Sequence, residues 1–277
     1  MSNVRHHPEH YAMPSPANPA IGTVAEYVQR VVEISDAMNL PYGSLWFRGV
    51  SRKELHLAPG VVWRGLTDEG SLVDEFRVSL PAYASKPYTD SWEIYALMQH
   101  HGLPTRLLDW AKSPLAALFF ALDFVNDKSA ERKSPVVWVM NPYMLNAHVH
   151  GRESLFVPKR DYTPEGFDWI VHTYLPASLR PNYATPSTTM PSGPIAVEPP
   201  YTNSRLLAQQ GCFTVHGSDM TALDQIPAMR PHIQQIRIRA TKADRLREEL
   251  EQLGYRSEWI YQDLDRLSSR ITKERTQ

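Results

Sequence analysis

The stretch QHHGLPTRLLDWAKSPLAALFFALDF, residues 99–124, carries the strongest information about the fold. It sets polar and charged side chains, among them Arg106 and Asp109, in a turn-rich segment between two apolar helical patterns. Burying such charges is costly unless they are paired. The segment is therefore interpreted as either a polar structural clamp or the wall of a binding site.

Helix signals stand on both sides of this segment. A helix is predicted to begin at Asp90 and to end at His101, because Gly102 follows it. The pair Ser113 and Pro114 predicts the start of the next helix, with a capping hydroxyl followed by proline at the first helical position. The polar segment is thus expected to connect two helices.

Working outward, apolar periodicity and turn residues predict the other elements. Little regular structure is expected between 141 and 200, and the five prolines of 185–200 predict a long exposed loop. Further helices are predicted at 23–38, 71–84, 241–253 and from about 263, and strands at 44–50, 135–140, 212–216, 233–239 and 258–261. This mixture indicates an α+β fold.

The chain shows no internal repeat and no clear domain boundary. A single domain is predicted over 21–272, preceded by a disordered proline-rich tail (1–20) and followed by a frayed tail (273–277). The net charge of −1 gives no global reason to expect nucleic acid or a membrane surface as a partner. One cysteine, no long apolar run and no signal-like N-terminus predict a soluble cytoplasmic protein.

Familiar catalytic and metal-binding motifs are missing from the sequence. It contains no GxGxxG, GxxxxGK[ST], HExxH, CxxC or GxSxG pattern. The paired histidines at 100–101 and 148–150 are weak metal signals, because adjacent histidines on a helix point in different directions. No metal cofactor is therefore predicted.

Two further segments are candidates for a binding site. Arg48 alternates with aromatic residues on a predicted strand, so it is either a surface arginine or an anion clamp with bidentate geometry. In RLLAQQGCF, residues 205–213, Gln209 and Gln210 precede a predicted strand. They could hydrogen-bond a ribose or an amide, or they could satisfy their own loop backbone.

These three segments, in this order, resemble the FRG domain, a family found largely in bacteria and their phages. The family takes its name from the tripeptide that stands here as Phe47, Arg48 and Gly49. QHHGLPTRLLDWAKSPLAALFFA (99–121) resembles the family's central signature, and RLLAQQGCF and IYQDLDRL (260–267) resemble further family segments. The resemblance extends over roughly 40–270.

The arrangement is also similar to ADP-ribosyltransferases of the Arg–Ser–Glu type, which implies a split mixed or antiparallel sheet with flanking helices. In that likeness Arg48 matches the arginine that holds NAD. The span 105–113 with the following helix matches the motif that braces the nicotinamide pocket, and 209–211 matches the motif that orients the ribose.

The third motif departs from that pattern, because no glutamate stands in it. In a transferase this carboxylate stabilises the oxocarbenium-like transition state, and a neutral glutamine supplies less electrostatic stabilisation. The resemblance therefore implies that another carboxylate (Asp109, Glu153 or Glu198) takes the role, that the chemistry is weak, or that the fold only binds its ligand.

The leading hypothesis is an ADP-ribosyltransferase-like protein that binds NAD, as a substrate, or an ADP-ribose ligand. By family analogy it would act as a bacterial toxin or phage-defence effector, on a macromolecular acceptor that the sequence does not name. The alternatives are a non-catalytic nucleotide or nucleic-acid-binding module, and a structural or protein-interaction domain in which Arg106 and Asp109 form a buried salt bridge. The predicted catalytic residues are Arg48, Asp109 and Gln210, and the predicted ligand-binding residues are Phe47, Gly49, His100, His101, Thr105, Arg106, Trp110, Ser113 and Gln209.

Overall fold

A computed structural model of the chain describes residues 19–41, 43–123, 134–158, 169–180, 189–201 and 204–276. Within these ranges the fold is α+β, with a six-stranded antiparallel sheet and flanking helices. Apart from residues 19 and 20, the predicted disordered N-terminal tail lies outside the described residues. No helix in the described ranges has the length and apolar character needed to cross a membrane.

The elements follow one another in a mixed order along the chain. The strands are β1 (Trp46–Val50), β2 (Leu107–Ala111), β3 (Val136–Met140), β4 (Ile195–Val197), β5 (Gly211–Val215) and β6 (Ile233–Arg237). The helices are α1 (Val24–Ala37), α2 (Gly60–Trp63), α3 (Glu69–Tyr83), α4 (Ser91–His100), α5 (Pro114–Leu122), α6 (Pro142–His150), α7 (Trp169–Thr173), α8 (Ser204–Gln209), α9 (Ala243–Gln252), α10 (Ser257–Tyr261) and α11 (Leu264–Thr276). Short 3₁₀ helices lie at Ala177–Leu179, Leu223–Gln225, Pro227–His232 and Ala240–Lys242.

The sheet has the strand order β4-β5-β2-β1-β3-β6, and its named strands all pair antiparallel, with parallel pairing only at isolated bridges among the described residues. The central pair β1–β2 has one residue in register, Phe47 opposite Ala111. The other strand pairs have three to five such partners. The sheet therefore opens in its middle, between β1 and β2.

Apolar side chains fill both faces of the sheet. One face carries two clusters side by side: the first joins β1, β3 and β6 to α1, α5 and α9, and the second joins β2, β5 and β4 to α3, α4 and α7. A third cluster covers the opposite face with Trp46, Trp110 and Trp138 as its largest members. The opening between β1 and β2 lies where the first two clusters meet.

Gly49 on β1 allows α5 to pack directly on the strand. A Cβ atom at this position would lie 1.8 Å from the carbonyl oxygen of Ala117 and 2.5 Å from the backbone nitrogen of Ala121. Glycine within a strand allows another backbone to approach closely, and here that backbone is the helix of the LAALFFA segment. Two of the quoted sequence segments are therefore in direct contact, and any side chain at residue 49 would push them apart.

Several local predictions are confirmed by the caps observed. The helix predicted over 23–38 is α1, which Thr23 caps, and Asp90 accepts from the backbone of Glu93 at the predicted start of α4. Ser113 accepts from the backbone of Ala116, with proline at the first position of α5. These signals are local, which is why the sequence alone was enough to read them.

Other predictions are wrong. The region expected to lack regular structure contains α6, which Asn141 caps and which Gly151 ends in the left-handed conformation. The loop predicted over 185–200 includes the buried strand β4, while its residues 185–188 lie outside the described ranges. The strand predicted at 258–261 is the helix α10, because a short apolar run does not by itself distinguish strand from helix. The tail predicted to fray from 273 begins within α11.

Candidate functional site

A cavity of about 310 Å³ lies at the opening between β1 and β2. Its walls come from β1, α4, β2, α5, α8 and β5, so residues far apart in the sequence meet there. Its lining is Phe47, Arg48, Gly49, Ala96, Gln99, His100, Asp109, Trp110, Ala111, Phe120, Arg205, Leu206, Gln209, Gly211, Cys212 and Phe213. Aromatic and small apolar groups thus surround a few charged and amide side chains.

Arg48 bridges the opening in the sheet. Its Nη1 donates to the backbone carbonyl oxygen of Asp109 at 2.6 Å and lies 3.8 Å from that residue's carboxylate oxygen Oδ2. Burial lowers the pKa of the Arg48 guanidinium, and the charge of Asp109 opposes that effect. The side chain remains about a quarter exposed. It therefore presents a charged donor group to the cavity.

Asp109 is held on one side and open on the other. Its Oδ2 accepts from the Gln99 amide nitrogen at 2.7 Å, and the Gln99 amide oxygen accepts from the Thr105 hydroxyl at 2.7 Å. That hydroxyl in turn accepts from the backbone nitrogen of Leu107 at 3.0 Å. In the part of the chain that the structure describes, no protein donor bonds the second oxygen, Oδ1. The carboxylate is thus oriented while one oxygen can accept from a ligand.

Arg205 supplies a second cation from α8 on the wall of the same cavity. Its Nη1 lies 3.5 Å from His100 Nε2, and its guanidinium packs on the ring of Tyr261. Burial, followed by the charges of Arg205 and His101, lowers the pKa of His100 to about 4. At neutral pH the cavity therefore holds two arginines, one aspartate and a neutral histidine.

The remaining walls of the cavity include aromatic side chains and a buried thiol. Trp110 lines the cavity but is only 3% exposed, and its indole nitrogen donates to the Thr214 hydroxyl at 3.1 Å, which holds its ring in the cluster on the opposite face of the sheet. Phe120 and Phe213 add further aromatic surface. Burial raises the pKa of the Cys212 thiol well above its ordinary value, which keeps it from acting as a thiolate nucleophile at neutral pH.

The two glutamines of RLLAQQGCF have different positions. Gln209 lines the cavity, and its amide nitrogen donates to the Ile260 carbonyl oxygen at 3.1 Å. Gln210 is exposed, has a φ of 48° and lies outside the cavity lining. Its backbone carbonyl accepts from the Lys112 nitrogen at 3.0 Å. The structure therefore brings Gln209, rather than Gln210, beside Arg48 and Asp109.

Arg106 belongs to a separate buried cluster, away from the cavity. Its Nε donates to Glu69 at 2.6 Å, and its Nη2 and Nη1 donate to the carbonyls of Tyr174 and His216 at 2.6 and 2.8 Å. The hypothesis of an Arg106–Asp109 salt bridge is therefore wrong. These two residues are three apart on an extended segment, so their side chains leave on opposite faces.

Other predicted site residues stand at the edge of the site or support it. His101 ends α4 and lines an adjacent cavity, Thr105 orients Gln99, and Ser113 caps α5. The two other carboxylates considered for catalysis lie outside the cavity lining: Glu198 pairs with Lys112, and Glu153 is exposed.

The sequence reading missed Gln99, Phe120 and Arg205 as lining residues. All three lie inside the quoted segments 99–124 and 205–213. The sequence therefore pointed to the right segments, but it did not show which side chains face the cavity. The described residues contain no group of three or more histidine, cysteine, aspartate or glutamate side chains placed to hold a metal ion.

Comparison with known proteins supports part of the family resemblance. Residues 43–130 match the model of the FRG domain, a segment that is less than half of the chain and that carries β1, α4, β2 and α5. The match ends before α8 and β5, which complete the cavity. No curated protein and no solved structure gives a significant match to the chain.

Proposed function

We propose that this cavity binds NAD or a related ADP-ribose ligand, and that the protein acts as an ADP-ribosyltransferase-like enzyme. The observation that carries the proposal is the convergence of Arg48, Arg205 and Asp109 on one aromatic-walled cavity. Arginine forks bind phosphate groups well, and an apolar pocket with a few polar groups is the usual form of a small-molecule site.

Asp109 would supply the carboxylate that the third sequence motif lacks. In transfer of ADP-ribose, the bond between the nicotinamide nitrogen and the anomeric carbon breaks, and its electron pair leaves with nicotinamide. The nucleophilic atom of an acceptor, or of water, then bonds to that carbon and loses its proton. The open Oδ1 of Asp109 is suited to stabilise the positive charge that develops on the sugar. Gln99 keeps that carboxylate in one orientation.

A second candidate is a nucleotide-binding module without catalysis. It is favoured by the fact that Asp109 is the only acidic side chain on the cavity wall, among the residues that the structure describes. In this reading Arg48 and Arg205 hold the ligand and Asp109 accepts from a ribose hydroxyl. A role as toxin or phage-defence effector extends the proposal by analogy with the family.

The test incubates the purified protein with NAD labelled on its adenylate half and measures nicotinamide release, label transfer and binding. Asp109→Asn should reduce nicotinamide release by about 10²–10³-fold with binding largely kept, because the variant loses the charge and not the shape. Arg48→Gln should weaken binding about 10-fold or more.

Asp36→Asn serves as the matched control, because Asp36 is an exposed aspartate on α1. It should behave like the unmodified protein. Equal nicotinamide release from the Asp109 variant and the unmodified protein would remove Asp109 from the chemistry. NAD binding that depends on Arg48, with no nicotinamide release from the unmodified protein, would establish the non-catalytic candidate instead.

A further inference from the structure

A second cavity of about 260 Å³ adjoins the first. The two share Ala96, His100 and Arg205 on their walls. The remaining lining of the second cavity is Tyr88, Glu93, Leu97, His101, Ser204, Tyr261 and Gln262. The two cavities are therefore neighbours, and Arg205 lies on the boundary between them.

Arg205, at the boundary between the cavities, has no carboxylate at ion-pair distance among the described residues, although the charges of Asp109 and Asp263 favour its cationic form from further away. Within the described ranges no carboxylate oxygen lies within 4.0 Å of its guanidinium, and its buried Nε has no hydrogen-bond partner. The contacts that hold it are the ring of Tyr261, 5.0 Å from the guanidinium carbon, and His100. Burial is the largest cause that lowers the pKa of this guanidinium. A half-buried charge of this kind is costly unless an anion compensates it.

Arg266 offers a contrast on the same aromatic ring. Its guanidinium carbon lies 3.9 Å from the Tyr261 centroid, and its Nε is 3.7 Å from the carboxylate of Asp263. It lines neither of the two cavities. Both arginines therefore stack on Tyr261. Only Arg205 of the two lacks a carboxylate within 4.0 Å and lies between the cavities.

We infer that Arg205 is the binding site for the phosphate or diphosphate group of the ligand, which extends from the first cavity into the second. This inference rests on the proposed function for its ligand class. The size of the first cavity supports it, because 310 Å³ is at the lower end of the roughly 300–1,000 Å³ typical of small-molecule pockets. A ligand with two nucleoside halves joined by diphosphate needs more room than that, and the second cavity provides it.

The experiment measures the affinities of ADP-ribose, AMP and inorganic pyrophosphate by titration calorimetry. Arg205→Gln should weaken ADP-ribose and pyrophosphate about 10- to 100-fold, because a charge-assisted contact is lost. Arg205→Lys should fall between Arg205→Gln and the unmodified protein, because it keeps the charge and loses the fork. Arg266→Gln is the matched control and should bind like the unmodified protein.

Ser204→Tyr tests the second cavity by itself. Ser204 is exposed and lines only that cavity, so a tyrosine there can fill it without touching the first. With the nicotinamide ribose at Asp109 in the first cavity, the adenylate half would lie in the second, so we expect this variant to weaken AMP and ADP-ribose binding and to leave pyrophosphate binding unchanged. Melting temperatures within a few degrees of the unmodified protein show that each variant is folded.

The outcomes separate this inference from the proposed function. Arg205-dependent pyrophosphate binding without any nucleotide binding would keep the anion site and remove the proposed function. ADP-ribose binding that needs Arg48 but is unchanged within twofold by Arg205→Gln and by Ser204→Tyr would overturn the inference alone. An unmodified protein that binds none of the three probes would overturn both.

Discussion

Arg106, directly before β2, and Arg48, on the neighbouring strand β1, have opposite surroundings. Arg106 is 4% exposed and donates to Glu69 and to two backbone carbonyls. Arg48 is about a quarter exposed, makes one hydrogen bond among the described residues and borders a cavity. A buried cation whose three nitrogens all donate to the protein is part of the structural core, whereas a cation with donors left over beside a cavity can bind a ligand.

The predicted role of Arg106 in ligand binding is not what its surroundings indicate. Arg106 stands in the most distinctive segment and was predicted to bind ligand, yet its partners show a structural clamp. The short tripeptide with Arg48 carries the group that faces the cavity. How informative a segment is about the fold therefore does not tell which of its residues contact a ligand.

The largest expected effect on stability comes from breaking the buried ion pair of Arg106 and Glu69, the structural clamp. Glu69→Gln should lower the free energy of unfolding by about 3–5 kcal/mol, because it leaves the buried Arg106 without a compensating charge. Urea unfolding of the variant and the unmodified protein measures the difference. Glu33→Gln is the control, since the Arg30–Glu33 pair is on the surface and should contribute less than about 1 kcal/mol. Equal effects from the two variants would show that Arg106 does not depend on Glu69.

The second effect concerns pH in the same buried region. Burial lowers the pKa of His216, which is fully buried beside Arg106, to about 4. The unfolded chain takes up a proton at this histidine near pH 6.5 while the folded chain does not. Stability should therefore fall as pH drops from about 6.5 to 4, by on the order of 3 kcal/mol from this residue.

Unfolding in urea at pH 7 and at pH 4.5 checks this expectation. His216→Phe should lose less stability over that interval than the unmodified protein, since it removes the histidine that must otherwise stay neutral. His148→Gln, at an exposed histidine on α6, should keep the full pH dependence. A His216→Phe variant as acid-sensitive as the unmodified protein would assign the acid sensitivity to other groups.

The smallest expected effect on stability is at Arg48. Arg48→Gln should change the free energy of unfolding by less than about 1 kcal/mol, because its ion pair with Asp109 is long and partly exposed. The same variant is expected to weaken nucleotide binding, so the two measurements should diverge. If Arg48→Gln destabilises the protein as much as Glu69→Gln does, the distinction between clamp and cavity fails.

Much of the local structure was readable from the sequence. The caps at Asp90 and Ser113 were predicted and are confirmed, and the helix predicted over 23–38 is present as α1. The helix α6 carried equally good signals, Asn141 before a proline and Gly151 after the last turn, but they were overlooked in a proline-rich region. These features depend on hydrogen bonds and backbone preferences within a few residues, so a local pattern is sufficient to specify them.

The sequence by itself determined the α+β composition, the positions of most helices and strands, and the resemblance to the FRG domain that the family match supports over 43–130. Only the tertiary structure decided that Arg106 pairs with Glu69, 37 residues away, and that Arg205 meets Asp109 in one cavity. The physical reason is that such pairings depend on strand register and helix packing across the entire sheet. Each of these contacts depends on all the others, so a short sequence pattern does not predict which distant residues meet.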